Sequence, residues 1–228
     1  MQIIILIPAF FIFLYYLQRL VKDDYVFIRK GISSEQVFDS AFLIAWISLF
    51  FSRLFSFFLH PIGGGDMFLS FFSPKIGNFS LLGGLLAGIG ALFLIGKYKK
   101  LPQARLFDFF ILAFIVALPF GFVGSALFVK KFFLFVALIN ALIYLISMII
   151  SLKVFYPKLM SRELKEGSLT VIFLLFFALI SVINFCVLHY TEKNFFFSAE
   201  SIVIVLFFLC SLGLFLKKMS EGFINKKR

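Results

Sequence analysis

The chain has 228 residues, of which 62% are hydrophobic and 14% are charged, and its mean hydropathy is +1.09. Because a soluble domain carries about a quarter charged residues, this composition excludes an ordinary soluble protein and indicates an integral membrane protein. The net charge of +11 falls in short loops between apolar runs, so we attribute it to membrane topology and not to nucleic-acid binding. Both cysteines lie inside apolar runs, no metal-ligand spacing occurs, and no cofactor is predicted.

Apolar runs long enough to cross about 30 Å of hydrocarbon, roughly 20 residues each, predict seven transmembrane helices in a single all-α domain covering residues 1–228. The predicted spans are residues 3–20, 38–59, 79–96, 107–129, 132–155, 168–190 and 200–216. Only Lys130 and Lys131 separate the fourth span from the fifth, so we expect a tight helical hairpin there. The first run has no cation before its apolar core and no small-residue cleavage signature, which favours a span over a signal peptide.

The distribution of Lys and Arg predicts the orientation of the chain. One side of the membrane receives Arg19, Lys22, Arg29, Lys30, Lys97, Lys99, Lys100, Arg105, Lys153, Lys158, Arg162, Lys165 and the basic C-terminal tail. The other side receives Lys75, Lys130, Lys131 and Lys193. By the positive-inside rule the N-terminus is outside and the C-terminus is cytoplasmic, which requires an odd number of spans. Asp39 and Asp108 then open the second and fourth spans, where the helix dipole favours a carboxylate.

Few polar side chains lie within the predicted spans, and such groups commonly face the bundle interior and mark function. Arg53 is about seven residues inside His60, roughly 10 Å below the outer end of span two. Its guanidinium could snorkel to the interface, or it could form an anion site because its planar fork matches a phosphate. His60 and His189 lie at the outer ends of helices, where a lone histidine is more often an interface residue than a base.

Span five carries a polar face formed by Asn140, Tyr144, Ser147 and Ser151. Their spacing of three and four residues puts them on one side of a helix, which we expect to point into the bundle. Asn184 on span six is similar, with Ser181 one turn earlier. Interhelical hydrogen bonding explains such residues, and contact with a substrate is the alternative.

The stretch "GNFSLLGGLLAGIGA" combines an apolar span with a seam of small residues. The seam consists of Gly83, Gly84, Ala87, Gly88 and Ala91. Its four-residue spacing predicts close helix packing, and room for a ligand along the seam is the alternative. Upstream, "HPIGGGD" follows span two, and its three glycines permit unusual backbone angles, so we interpret it as a candidate lid.

The order of these motifs resembles the prolipoprotein diacylglyceryl transferases, which are seven-span enzymes of the bacterial inner membrane. "SRLFSFFLHP" carries the family's arginine as Arg53, and "KKLPQARLFDF" is similar to the family's connector at Asp108. The glycine-rich segment and "LPFGFVGSALF" match the family at Gly77, Ser80, Gly83, Gly84, Pro119, Phe120 and Gly121. The similarity covers roughly residues 24–125 and is weaker in the last two helices.

The resemblance implies transfer of a diacylglyceryl group from phosphatidylglycerol to the lipobox cysteine of an exported prolipoprotein, in the bacterial cytoplasmic membrane. The expected partners are therefore phosphatidylglycerol and a prolipoprotein signal peptide. Together with the polar residues of spans five and six, the matches give a set of predicted substrate-binding residues. These are Arg53, Ser80, Gly83, Gly84, Asn140, Tyr144 and Asn184.

The sequence departs from the family at several polar positions. Leu82 stands where the family has its essential histidine, and Asn78 replaces a glycine. Near Ser125 and Ala126 the family's arginine and asparagine are missing, and so are its arginine and glutamate near span six. No catalytic residue is therefore assigned, although His60 or His189 could supply the missing base beside Arg53.

Two functions stay open: a transferase with an altered site, and a relative without catalysis that binds phospholipid or a membrane partner. A small transporter ranks below both, because the sequence has one intramembrane arginine and no internal repeat.

Overall fold

The computed structural model describes residues 6–59, 79–127, 131–188 and 199–223, which are helical with short connections. The helices are α1 (Leu6–Lys22), α2 (Tyr25–Arg29), α3 (Ser34–Leu59), α4 (Leu81–Tyr98), α5 (Gln103–Ala126), α6 (Lys131–Ile150), α7 (Tyr156–Met160), α8 (Ser168–Leu188) and α9 (Ala199–Glu221). A π-helical turn, Ser151–Phe155, joins α6 to α7. Gly77, His60, His189 and the "HPIGGGD" loop lie outside the described residues.

Six helices among the described residues are long and apolar enough to cross a membrane. They are α3, α4, α5, the combined α6–α7 helix, α8 and α9. This confirms an all-α protein with several potential membrane spans. The described part of α1 has 17 residues and a length of about 26 Å, and it is not one of the six. The seventh span and the orientation of the termini remain predictions.

Two helices begin four residues earlier than the apolar runs predict. The α3 helix begins at Ser34, where the Ser33 hydroxyl accepts a hydrogen bond from the Gln36 amide at 3.2 Å. The α5 helix begins at Gln103, directly after Pro102. The prediction that Asp39 and Asp108 occupy helix N-termini is therefore wrong. Asp39 is exposed and lies beyond the first turn of α3, whereas Asp108 is fully buried inside α5.

The long apolar stretch around Lys130 and Lys131 forms two helices, as predicted. The α5 helix ends at Ala126 and α6 begins at Lys131, and the two helices pack against one another. The helical path of α6 then continues through the π-helical turn to Met160. The helical path therefore extends five residues past residue 155, where the predicted span ends.

The chain divides into two compact units, Met1–Leu152 and Lys153–Arg228. In the first unit, α1 contacts α3 and α5, α4 contacts α3 and α5, and α6 packs on α5. The α5 helix is the most buried of the six candidate spans and forms the core of this unit. In the second unit, α8 packs against α9, with the rings of Phe177 and Phe207 edge to face at 6.2 Å. The single domain expected from the sequence stays a prediction.

A seam of small residues brings α3 and α4 close together. A Cβ atom placed on Gly84 would lie 3.1 Å from the Ser52 Cβ, and one on Gly88 would lie 2.7 Å from the Ser48 hydroxyl oxygen. A Cβ atom on Gly83 would overlap the Phe55 side chain. The seam is therefore a helix-packing surface, as its four-residue spacing predicts. At these three glycines α3 occupies the space that a ligand would need.

A buried ion pair connects α2 to the first turn of α5. Arg105 donates from Nε and Nη2 to Asp24 Oδ2 at 3.0 and 2.6 Å, and the two side chains are 3% and 1% exposed. Asp24 Oδ1 accepts hydrogen bonds from the Val26 and Phe27 amides, which caps α2. The guanidinium also lies 5.1 Å from the Phe109 ring centroid. From the sequence Arg105 belongs to a cytoplasmic loop, but the structure buries it in a helix.

Gly83→Ala should destabilise the chain by about 1–3 kcal/mol, because the added methyl group forces α3 and α4 apart. Gly90→Ala is the matched control, since a Cβ atom there meets nothing within 4 Å. We expect the control to be neutral or slightly stabilising, because alanine favours the helix over glycine. Thermal unfolding in detergent, followed by circular dichroism, measures both variants. Equal midpoints would contradict close packing at the seam.

Arg105→Ala should cost about 3–5 kcal/mol of stability, because it leaves the Asp24 carboxylate buried without its cation. The exposed Arg29 on α2 offers a control with the same change of charge. We expect Arg29→Ala to unfold like the unmodified chain in the same circular-dichroism assay. If Arg105→Ala unfolds like this control, the buried pair does not stabilise the fold.

Candidate functional site

Arg53 lies near the end of α3 that leads towards α4. It is six residues before Leu59, the last residue of α3, and so about 9 Å from that end along the helix axis. Its side chain is half-buried, and its guanidinium carbon is 5.0 Å from the centroid of the Phe79 ring. This distance is typical of a cation–π contact. The guanidinium therefore packs against a residue that immediately precedes the cap of α4.

Ser80 caps the N-terminus of α4 and ties it to α3. Its hydroxyl oxygen accepts a hydrogen bond from the Gly83 amide at 3.1 Å. The Ser80 amide donates to the Ser52 carbonyl at 3.0 Å, and the Ser52 hydroxyl donates to the Ser80 carbonyl at 2.6 Å. This reciprocal pair of bonds fixes the start of α4 against the α3 turn that carries Ser52 and Arg53.

The electrostatics of this helix end favour an anion. The N-terminus of α4 is the positive end of its helix dipole, and the Arg53 guanidinium lies beside Phe79, two residues before that helix begins. A guanidinium binds a phosphate through two parallel N–H···O bonds, and helix N-termini bind phosphates through backbone amides. The junction of α3 and α4 can therefore hold and orient a phosphate.

Four of the predicted substrate-binding residues meet at this junction. Arg53 and Ser80 lie at its end, and Gly83 and Gly84 follow within the first turn of α4. The two glycines pack against Phe55 and Ser52 of α3. Their role in the structure is therefore to let α3 and α4 pack closely. Their direct contact with a substrate stays a prediction.

Asn140 and Tyr144 lie in a different interface, between α5 and α6. Asn140 is 3% exposed and Tyr144 is 1% exposed, which confirms that the polar face of this helix points inward. The Tyr144 ring stacks on the Phe122 ring of α5, with centroids 5.3 Å apart and planes 7° apart. This stacking explains the burial of Tyr144 by helix packing, and a role in substrate binding stays a prediction.

Asn184 belongs to the second compact unit, where it is half-buried on α8. One turn earlier, the Ser181 hydroxyl donates to the Phe177 carbonyl at 2.9 Å within the same helix. The Ser181 hydroxyl therefore bonds to the backbone of its own helix, and the binding role predicted for Asn184 is untested.

The resemblance aligns a histidine of the transferases with position 82, which holds an apolar side chain in this chain. Leu82 is the second residue of α4 and is half-buried, and it cannot accept a proton. His60 and His189, the candidate bases, lie outside the described residues. Within the part of the chain that the structure describes, no group of three or more His, Cys, Asp or Glu side chains could hold a metal ion. The described site is therefore equipped to bind an anion, and it supplies no base at position 82.

Sequence reasoning missed the serines of α3 and the buried pair of Asp24 and Arg105. The segment "SLFFSRLFS" repeats serine every four residues, a signal that becomes meaningful only beside the glycine seam of α4. For Asp24 and Arg105, which are 81 residues apart, no local pattern joins the two partners.

Comparison with known proteins gives no match among protein-family models, curated proteins or solved structures. The resemblance to the diacylglyceryl transferases therefore rests on the sequence motifs alone.

Proposed function

We propose that this chain binds phosphatidylglycerol at the junction of α3 and α4 and uses it as a prolipoprotein diacylglyceryl transferase of the bacterial cytoplasmic membrane. The observation that carries the proposal is the Arg53 guanidinium, packed on Phe79 beside the N-terminus of α4. An arginine inside an apolar helix is costly, about 2.5–3.5 kcal/mol on insertion scales. Binding a lipid phosphate would offset that cost with charge-assisted hydrogen bonds.

The charges at this junction favour an anionic lipid over a zwitterionic one. The phosphodiester of phosphatidylglycerol carries one negative charge with no cation of its own, so the full charge is available to Arg53. In phosphatidylcholine or phosphatidylethanolamine, the headgroup ammonium competes with the guanidinium for the phosphate. Both the α4 dipole and Arg53 therefore favour phosphatidylglycerol.

The resemblance implies the chemistry that would follow binding. A bond forms between the lipobox cysteine sulfur and the glycerol carbon of the diacylglyceryl group, and the bond from that carbon to the phosphate oxygen breaks. Glycerol phosphate leaves, and the thiol proton passes to a base. Arg53 would stabilise the charge that develops on the departing phosphate, and His60 or His189 would take the proton.

Leu82 favours a second candidate, a relative that binds phospholipid without transferring it. The family's histidine is replaced here by a side chain that accepts no proton. Loss of one preorganised electrostatic contact in an active site lowers a rate by about 10²–10³, and the family's second arginine and its asparagine are missing as well. Both candidates use the same phosphate site at Arg53.

A single reconstitution tests the proposal. The full chain is placed in bilayers containing phosphatidylglycerol and a lipobox peptide, and mass spectrometry measures retained lipid and diacylglyceryl thioether. Arg53→Ala should weaken phosphatidylglycerol binding about 10–100-fold, since hydrogen bonds to charged groups contribute about 1.5–3 kcal/mol. Lys158→Ala removes one positive charge from an exposed position in the second unit and should retain the lipid.

The two candidates give different products in this experiment. A thioether that depends on Arg53 supports the transferase, and its loss in a His60→Ala/His189→Ala variant would identify the base. Retained phosphatidylglycerol without thioether supports the binding protein. Equal lipid retention by Arg53→Ala and Lys158→Ala would contradict both candidates.

A further inference from the structure

The α2 helix has a fixed inner face. It has only five residues, too few to be stable in isolation, so its position depends on its contacts. Phe27 is fully buried on the inner side, and its ring stacks on the Phe109 ring of α5 at 5.8 Å. The Asp24 cap and the Arg105 ion pair hold the start of the helix. The opposite face of α2 is therefore presented outward in one orientation.

The outward face combines apolar and basic side chains. Tyr25 is 59% exposed and Ile28 is 62% exposed. The basic residues nearest to them in the chain are also exposed: Arg19, Lys22, Arg29 and Lys30. Asp23 and Glu35 are exposed acidic residues near this segment of the chain, whereas the charge of Asp24 is already paired with Arg105. The surface is thus both basic and apolar, which is the combination found where proteins contact anionic lipid surfaces.

The location of α2 fits this chemistry. It connects α1 to α3, and α3 is a candidate membrane span. From Ser34 at the start of α3 to Arg53 is about 28 Å along the helix. The α2 surface therefore lies at the opposite end of α3 from the phosphate site at Arg53. At the ends of membrane spans, tyrosine and basic residues anchor proteins at the level of the lipid headgroups.

We propose that the outward face of α2 binds the headgroups of anionic phospholipids in the leaflet that it faces. Arg29 and Lys30 contact the phosphates, while Tyr25 and Ile28 insert between the headgroups. The ion pair of Asp24 and Arg105 positions this surface and does not touch the lipid. The site is separate from Arg53, so it holds the chain in an anionic bilayer whether or not diacylglyceryl transfer occurs.

Quenching by brominated lipids tests the site in the full chain. Trp46→Phe removes the single tryptophan, and Ile28→Trp places an indole on α2. Brominated phosphatidylglycerol, diluted in unlabelled phosphatidylcholine, should quench this indole at a several-fold lower mole fraction than brominated phosphatidylcholine does. Each cation near an anionic surface contributes a factor of about five, so Arg29→Gln/Lys30→Gln should remove the difference.

Matched variants separate this site from general basic charge and from the Arg53 site. Lys153→Gln/Lys158→Gln removes two exposed charges from the second unit and should keep the lipid preference, as should Arg53→Ala. Tyr25→Trp in the same tryptophan-free background provides a second indole position should Ile28→Trp not fold. Equal quenching by the two lipids would overturn the proposal. The proposal would also be overturned if the preference for phosphatidylglycerol persisted in Arg29→Gln/Lys30→Gln. It would be overturned as well if Lys153→Gln/Lys158→Gln lost that preference to the same extent.

Discussion

Close approach of α3 and α4 is the constraint on which the candidate site depends. Lipid tails are as apolar as leucine, so two helices in a bilayer associate through packing and hydrogen bonds and not through exclusion of water. Here glycines of α4 admit the side chains of Ser48, Ser52 and Phe55. The hydrogen bonds between Ser52 and Ser80 then fix the axial register of the pair. That register places Phe79 under the guanidinium of Arg53.

The two buried or half-buried arginines of the first unit are held in different ways. Arg105 has a carboxylate partner and is almost fully buried, so its role is explained by the attachment of α2 to α5. Arg53 is half-buried and packs on an aromatic ring beside a positive helix end. We assign a structural role to Arg105 because its ion pair with Asp24 attaches α2 to α5. We propose ligand binding for Arg53 because it lies beside the positive end of the α4 helix.

Hydropathy predicted most of the helices, because the length of an apolar run reflects the thickness of the bilayer. The small-residue spacing predicted the close packing of α4, and the inward face of α6 with Asn140 and Tyr144 was also evident from periodicity. Helix starts were harder to predict, since apolar runs mark hydrocarbon and not the caps at Ser33 and Pro102. The contact of Arg53 with Phe79 depends on the tertiary packing of α3 on α4, which no local pattern encodes.

The separation of Asp24 and Arg105 along the chain has a consequence for how the protein is made. The two residues are 81 positions apart, and chain synthesis at about 5–20 residues per second takes roughly 4–16 seconds to cover that interval. During this time Asp24 is present without Arg105, and α2 has only its local cap. The nascent chain can therefore complete the attachment of α2 only after α3 and α4 have been synthesised, while more than half of the chain is still to be made.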